Sequence, residues 1–118
     1  MHQESLGVHY ILDLFFCNVD LLNDSTYVIS SIKEAIFRAN ANLLEDVKYE
    51  FTPQGFTAIF LLSESHISIH TWPEKEYAAV DIFTCGAHTK PNDACNYLID
   101  VLESKKPVKT IIKRGEIL

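Results

Sequence analysis

Residues 56–84 read FTAIFLLSESHISIHTWPEKEYAAVDIFT. Phe56–Leu62 is a continuous apolar run of strand length, which suits a central strand. Ser63-Glu64-Ser65 interrupts it, and His66–Thr71 then alternates polar with apolar residues. Side chains alternate across a strand, so His66, Ser68 and His70 share one face and Ile67, Ile69 and Thr71 the other. Trp72–Glu76 is a loop built around Pro73, and Tyr77–Thr84 resumes the strand pattern. There Ala79, Asp81 and Phe83 lie on one side and Ala78, Val80 and Ile82 on the other. The connections are too short for crossovers, so these segments pair antiparallel. Symmetric pairing around the 72–76 loop brings Thr84 and Cys85 near His66 and Ser65.

Before this block, residues 7–17 (GVHYILDLFFC) form a strand rich in aromatic and β-preferring residues, and Asn18–Asn23 a polar-tipped loop. Asp24 or Ser25 can cap a helix running to about Asn40. Its apolar stripe is Val28, Ile29, Ile32, Ala35, Ile36 and Ala39, recurring at three- and four-residue spacing. Val47–Phe51 is a further strand, and Thr52-Pro53-Gln54-Gly55 a turn. Beyond the block, Pro91 suits the first turn of a helix that buries Ala94, Tyr97, Leu98, Val101 and Leu102. Pro107 closes that region, and Val108–Lys113 is a last strand. The fold class is therefore α+β: a two-layer sandwich in which two helices cover one face of a mostly antiparallel sheet. The second face must be polar or covered by something else, and association of two chains is one solution.

The chain has 118 residues, 47% of them hydrophobic, which suits a single domain (1–118) with a buried core. Ten Lys and Arg against sixteen Asp and Glu give a net charge of −6, opposite to the basic surface of a nucleic-acid binder. Lys105, Lys106, Lys109, Lys113 and Arg114 read as a solvated helix end and edge strand. No apolar stretch approaches a membrane span. The N-terminal Met1-His2-Gln3-Glu4-Ser5 lacks the basic and apolar regions of a leader. Three cysteines, Cys17, Cys85 and Cys95, without a secretion signal, indicate free thiols and a cytoplasmic location.

A strand with His66, Ser68 and His70 on one face either faces water or lines a site. A Ser–His or Cys–His pair could supply a nucleophile and its base. No Gly-x-Ser-x-Gly elbow is present, however, and no carboxylate is obviously placed behind either histidine. His66, His70, Cys85 and His88 could bind zinc, although neither a CxxC nor an HExxH spacing occurs. A wet sheet face with a buried cysteine explains the same residues.

Ser63-Glu64-Ser65-His66, Ile69-His70-Thr71-Trp72-Pro73-Glu74 and Phe83-Thr84-Cys85-Gly86, in this order, closely resemble the short prokaryotic S-adenosylmethionine decarboxylases. The dense match covers about a fifth of the chain, and length and element order fit along nearly all of it. The resemblance implies self-cleavage at Glu64–Ser65 into a β chain, 1–64, and an α chain, 65–118. Ser65 becomes a pyruvoyl group, the cofactor of a decarboxylase. Ser63 does not match the cleavage position. His70 is implied as the proton acceptor in processing, a role suited to imidazole. Cys85 is implied as the proton donor in decarboxylation, pictured as a partly buried thiol. Thr57 stands where the family commonly has a serine that helps processing. Its hydroxyl survives, while its methyl restricts the rotamer and would slow cleavage.

For substrate, the resemblance implies Phe51 stacking on adenine and Glu74 accepting from the ribose hydroxyls of S-adenosylmethionine, with Trp72 walling the pocket. Cys17 and Cys95 match no catalytic position and are expected to be packing residues. The implied product is decarboxylated S-adenosylmethionine for spermidine synthesis, made by a homodimer of processed units, with no metal. Pyruvoyl chemistry on arginine or ornithine, and a non-catalytic relative, are the rival readings.

Overall fold

The structure, a computed structural model, describes residues 6–116; the N-terminal pentapeptide read above for a leader lies outside it. Six strands form one sheet in the order β2-β3-β4-β5-β1-β6, with every pair antiparallel. They are β1 (Gly7–Phe15), β2 (Leu43–Glu50), β3 (Phe56–Leu62), β4 (Ser65–Trp72), β5 (Tyr77–Thr84) and β6 (Lys106–Arg114). The helices are α1 (Val19–Leu22), α2 (Ser25–Arg38) and α3 (Pro91–Val101). The apolar run at 56–62 is thus a strand between neighbours on both sides, and the block at 56–84 is a three-stranded meander as its alternation implied.

One sheet face is dry. Leu12, Leu14, Ala58, Phe60, Ile67, Ile69, Val80 and Ile82 pack against Val28, Ile32, Ala35, Ala94 and Leu98 from α2 and α3. Asp24 caps α2 by accepting from Tyr27 N at 3.0 Å, which decides between the two candidate caps. Cys17 and Cys95 are both buried in this core, as expected of packing residues.

Three boundaries differ from the sequence reading. The 18–23 segment contains α1, a single turn capped by the Asn18 side chain; a four-residue helix carries too little periodicity to be seen. β2 starts at Leu43 rather than Val47 because a bulge between Leu43 and Glu45 breaks its alternation. β6 includes Pro107, which is tolerable because β6 is an edge strand with a free side.

Among the described residues nothing covers the opposite face. Val47, Tyr49, Phe51, Ile59, Leu61 and Trp72 are all exposed. Apolar side chains concentrated on one uncovered sheet face mark an interaction surface.

Candidate active site

β4 carries functional side chains at both ends. At its start, a two-residue connection, Ser63–Glu64, joins β3 to β4, with Leu62 paired to Ser65. Ser65 takes φ 153°, a conformation that residues with a side chain rarely adopt and that stores strain at the Glu64–Ser65 junction. On its other side Ser65 pairs with Thr84, one residue away from the pairing expected, because the loop closes through a 3-10 turn at Pro73–Lys75 with Trp72 opposite Tyr77. Cys85 therefore follows directly after Ser65's partner. Its backbone N–H donates to the Glu64 carbonyl at 3.0 Å, and its thiol donates to the same oxygen at 3.1 Å. Cys85 is exposed rather than partly buried. A cavity of about 470 Å³, lined by Tyr10, Thr84, Cys85, Gly86 and Lys113 among others, opens beside it.

The Glu64 carboxylate is buried and fully occupied. Asn42 N donates to Oε1 at 3.0 Å; Asn42 Nδ2 and His88 Nε2 donate to Oε2 at 3.0 and 2.9 Å. The His88 bond, then the Asn42 backbone bond, hold its pKa at about 2. No sequence signal pointed to Asn42 or to this use of His88; the residues are 22 and 24 positions from Glu64.

At the far end, Thr57 pairs with His70 across β3 and β4, and Thr57 Oγ1 lies 2.9 Å from His70 Nδ1. His70 leans on Trp72, with centroids 6.1 Å apart, and Trp72 on Tyr77 at 5.5 Å. Phe51 rests against Tyr49 at 5.1 Å. The turn that delivers Phe51 depends on Gly55, at φ 85°, where a Cβ would meet the Thr71 carbonyl at 2.8 Å. Phe51, Thr57, His70, Trp72 and Glu74 all line one cavity of about 510 Å³, a size that suits a small-molecule ligand.

The eight residues singled out thus fall into two groups: Glu64, Ser65 and Cys85 at one end, and Phe51, Thr57, His70, Trp72 and Glu74 at the other. Ser65 and His70 are five residues apart on one strand, about 17 Å. The zinc reading fails, since among the described residues no three His, Cys, Asp or Glu side chains gather to hold a metal ion. Between the two ends, Asp81 accepts from His9 Nε2 at 3.0 Å and from Ser68 Oγ at 3.3 Å. Sequence reasoning missed that arrangement because His9 and Asp81 are 72 residues apart.

The architecture is that of a two-layer α+β protein with chemical groups at the two ends of a strand in a half-covered sheet. The family model for S-adenosylmethionine decarboxylase matches residues 8–115, and the chain belongs to that family. It is 50% identical over 99 residues to an S-adenosylmethionine decarboxylase proenzyme of Synechococcus sp. (strain WH7803), covering 84% of this chain and 77% of that one. It is 47% identical over 109 residues to a proenzyme of the same description from Prochlorococcus marinus (strain MIT 9211), covering 92% and 89%. A crystal structure of the adenosylmethionine decarboxylase from Aquifex aeolicus VF5 superposes with a TM-score of 0.91 at 36% identity, covering 98% of this chain and 95% of that one.

Proposed function

We propose that this chain is a proenzyme that cuts itself between Glu64 and Ser65 and, once cut, decarboxylates S-adenosylmethionine. The observation that carries the reading is the double donation from Cys85 N–H and Sγ to the Glu64 carbonyl. When the Ser65 hydroxyl attacks that carbonyl carbon, negative charge builds on this oxygen. Two donors already in place stabilise it, in the manner of an oxyanion hole. The amide becomes an ester as the acyl group moves from nitrogen to oxygen, which also relieves the backbone strain at Ser65. Loss of the Ser65 α proton then breaks the ester's Cβ–O bond and expels the new C-terminal carboxylate of the 1–64 fragment. Water replaces the nitrogen on residue 65, ammonia leaves, and a pyruvoyl group heads the 65–118 fragment.

The residues around Ser65 fit such a group: the strained serine lies at a tight turn, and Cys85 lies beside an open cavity. Once formed, the pyruvoyl ketone supplies an electron sink for loss of carbon dioxide. Cys85 holds a proton that it can deliver next to residue 65. Phe51 offers an aromatic surface to adenine, Glu74 a carboxylate to ribose hydroxyls, and Trp72 a wall to the same cavity. Thr57 holds the His70 imidazole in place for proton transfer.

Both ends of β4 are needed in one site, so a second copy of the chain must bring its Trp72 end to the Ser65 end of the first. The uncovered apolar face supports a homodimer. Three free thiols fit a cytoplasmic setting, and no helix among the described residues is long and apolar enough to cross a membrane.

Intact mass spectrometry tests the reading. The expected result is two fragments, 1–64 and 65–118, with a carbonyl on the second that forms a hydroxylamine adduct, and a whole chain for Ser65→Ala. A wild-type chain that stays whole would mark a non-catalytic relative. Carbon dioxide released from arginine or ornithine instead of S-adenosylmethionine would sink the substrate assignment.

A further inference from the structure

The chemistry above uses Glu64 only through its carbonyl and leaves its side chain without a task. Yet that carboxylate is 7% exposed, accepts three hydrogen bonds, and ties together three separate segments. Asn42 comes from the approach to β2, Glu64 from the β3–β4 turn, and His88 from the loop after β5. This loop is pinned independently: Asn40 Nδ2 donates to the His88 carbonyl at 3.1 Å, and Lys90 N to the Ala39 carbonyl at 2.7 Å. Gly86 is what lets it double back. Its φ is 97°, and a Cβ there would stand 2.8 Å from the His88 ring.

We infer that His88 is a positioning residue for self-cleavage: by holding the Glu64 carboxylate, it keeps the Glu64 carbonyl on the N–H and thiol of Cys85. The inference rests on the assignment of Glu64–Ser65 as the bond that is cut. Cys85 and His88 lie three residues apart on one loop, so that loop grips Glu64 at two points, backbone and side chain. A single grip on the carbonyl leaves the peptide plane free to rock about the Glu64 Cα. A second grip fixes the plane and keeps the oxygen on its donors. Asn42 adds a hold on each of the two carboxylate oxygens. After cleavage the same bonds join the two fragments, since Glu64 and Asn42 belong to 1–64 and Cys85 and His88 to 65–118. The new terminal carboxylate of Glu64 is thereby retained next to Cys85.

The test follows the 118-residue chain by intact mass after cell-free synthesis, with thermal melting as a fold control. His88→Ala is expected to split roughly tenfold more slowly, the scale of losing a charge-assisted hydrogen bond, while the chain stays folded at the assay temperature, its melting lowered only by the loss of the half-exposed bond to Glu64. His88→Gln keeps an N–H donor and should recover to within about threefold of wild type. Glu64→Gln combined with His88→Ala should be no slower than the slower single variant, because both remove one contact. A wild-type rate for His88→Ala, failure of His88→Gln to recover, or additive slowing in the double variant each overturns the inference while leaving the cleavage assignment intact. A wild-type chain that never splits overturns the assignment, and this inference with it.

Discussion

The two ends of β4 are built on opposite plans. Around Ser65 the backbone turns tightly, the Glu64 carbonyl has two donors, and its carboxylate has three. Around Trp72 the chain opens a cavity of about 510 Å³ with exposed rings at Phe51 and Trp72. The difference follows from what each end must meet. The cutting step needs a strained bond held against fixed donors, and the cavity of about 470 Å³ beside Cys85 leaves room for a ligand there as well. Recognition of a diffusing molecule needs space, an aromatic plane and a few polar groups. The strand holds the two about 17 Å apart within one chain. On the proposed reading, a second chain covering the open face would carry the missing end.

The largest effect that can break this division comes from mixing two disabled chains. On the proposed roles, Ser65→Ala should not split at all, and His70→Ala should split at least a hundredfold more slowly. If the two ends of one site come from different copies, co-expression restores a composite site in every mixed dimer. Random pairing then lets about half of the His70→Ala chains split rapidly. Intact mass distinguishes the two chains directly. No splitting in the mixture means that Ser65 and His70 serve within one chain, and the division between ends is then not one between subunits.

A smaller effect probes what the Trp72 end does alone. Phe51→Ala removes one aromatic surface from the cavity without touching the Ser65 turn. Stacking on a base is worth about 1–2 kcal/mol, so KM for S-adenosylmethionine should rise roughly tenfold while the rate of self-cleavage stays at the wild-type value. Slowed self-cleavage in Phe51→Ala would mean that Phe51, like Thr57 and His70, also serves the scissile bond.

Much of this layout was legible in the sequence. The alternation at 66–71 and 77–84 grouped Ile67 with Ile69 and Val80 with Ile82, and the fold buries all four on the dry face. The short connections made the pairing antiparallel, and the register came within one residue. That residue was lost because nothing in Trp72–Glu76 announces the 3-10 turn with Glu76 at φ 53° that sets the loop length. The resemblance assigned Thr57 and His70 to processing and Phe51, Trp72 and Glu74 to substrate, and the fold gathers all five in one cavity. What stayed hidden was the separation of His70 from Ser65. A motif lists residues in order, whereas a strand converts that order into length. The partners of the Glu64 side chain were hidden for another reason: Asn42 and His88 reach it by tertiary folding, with no local pattern to mark them.

The smallest effect is a difference in how the two ends respond to pH. Glu64, at the Ser65 end, has its pKa lowered from 4.5 to about 2 by His88 and Asn42. Its folded form binds a proton less readily than its unfolded form. It therefore adds stability that is complete above about pH 4.5 and disappears as pH falls towards 2. Tyr77, beside Trp72, is the reverse. Burial, and then its hydrogen bond to Asp13, raise its pKa from 10.0 to about 12. Its folded form keeps the proton more tightly, so its contribution is complete below about pH 10 and is lost as pH climbs towards 12. Thermal melting across both ranges should show Glu64→Gln flattening only the acid limb and Tyr77→Phe only the alkaline one. Tyrosinate absorbance in the alkaline range should lose its last-titrating component in Tyr77→Phe. If either substitution flattens both limbs, the ends are coupled through the sheet; if each acts on one limb alone, the strand between them keeps the Ser65 end and the Trp72 end independent.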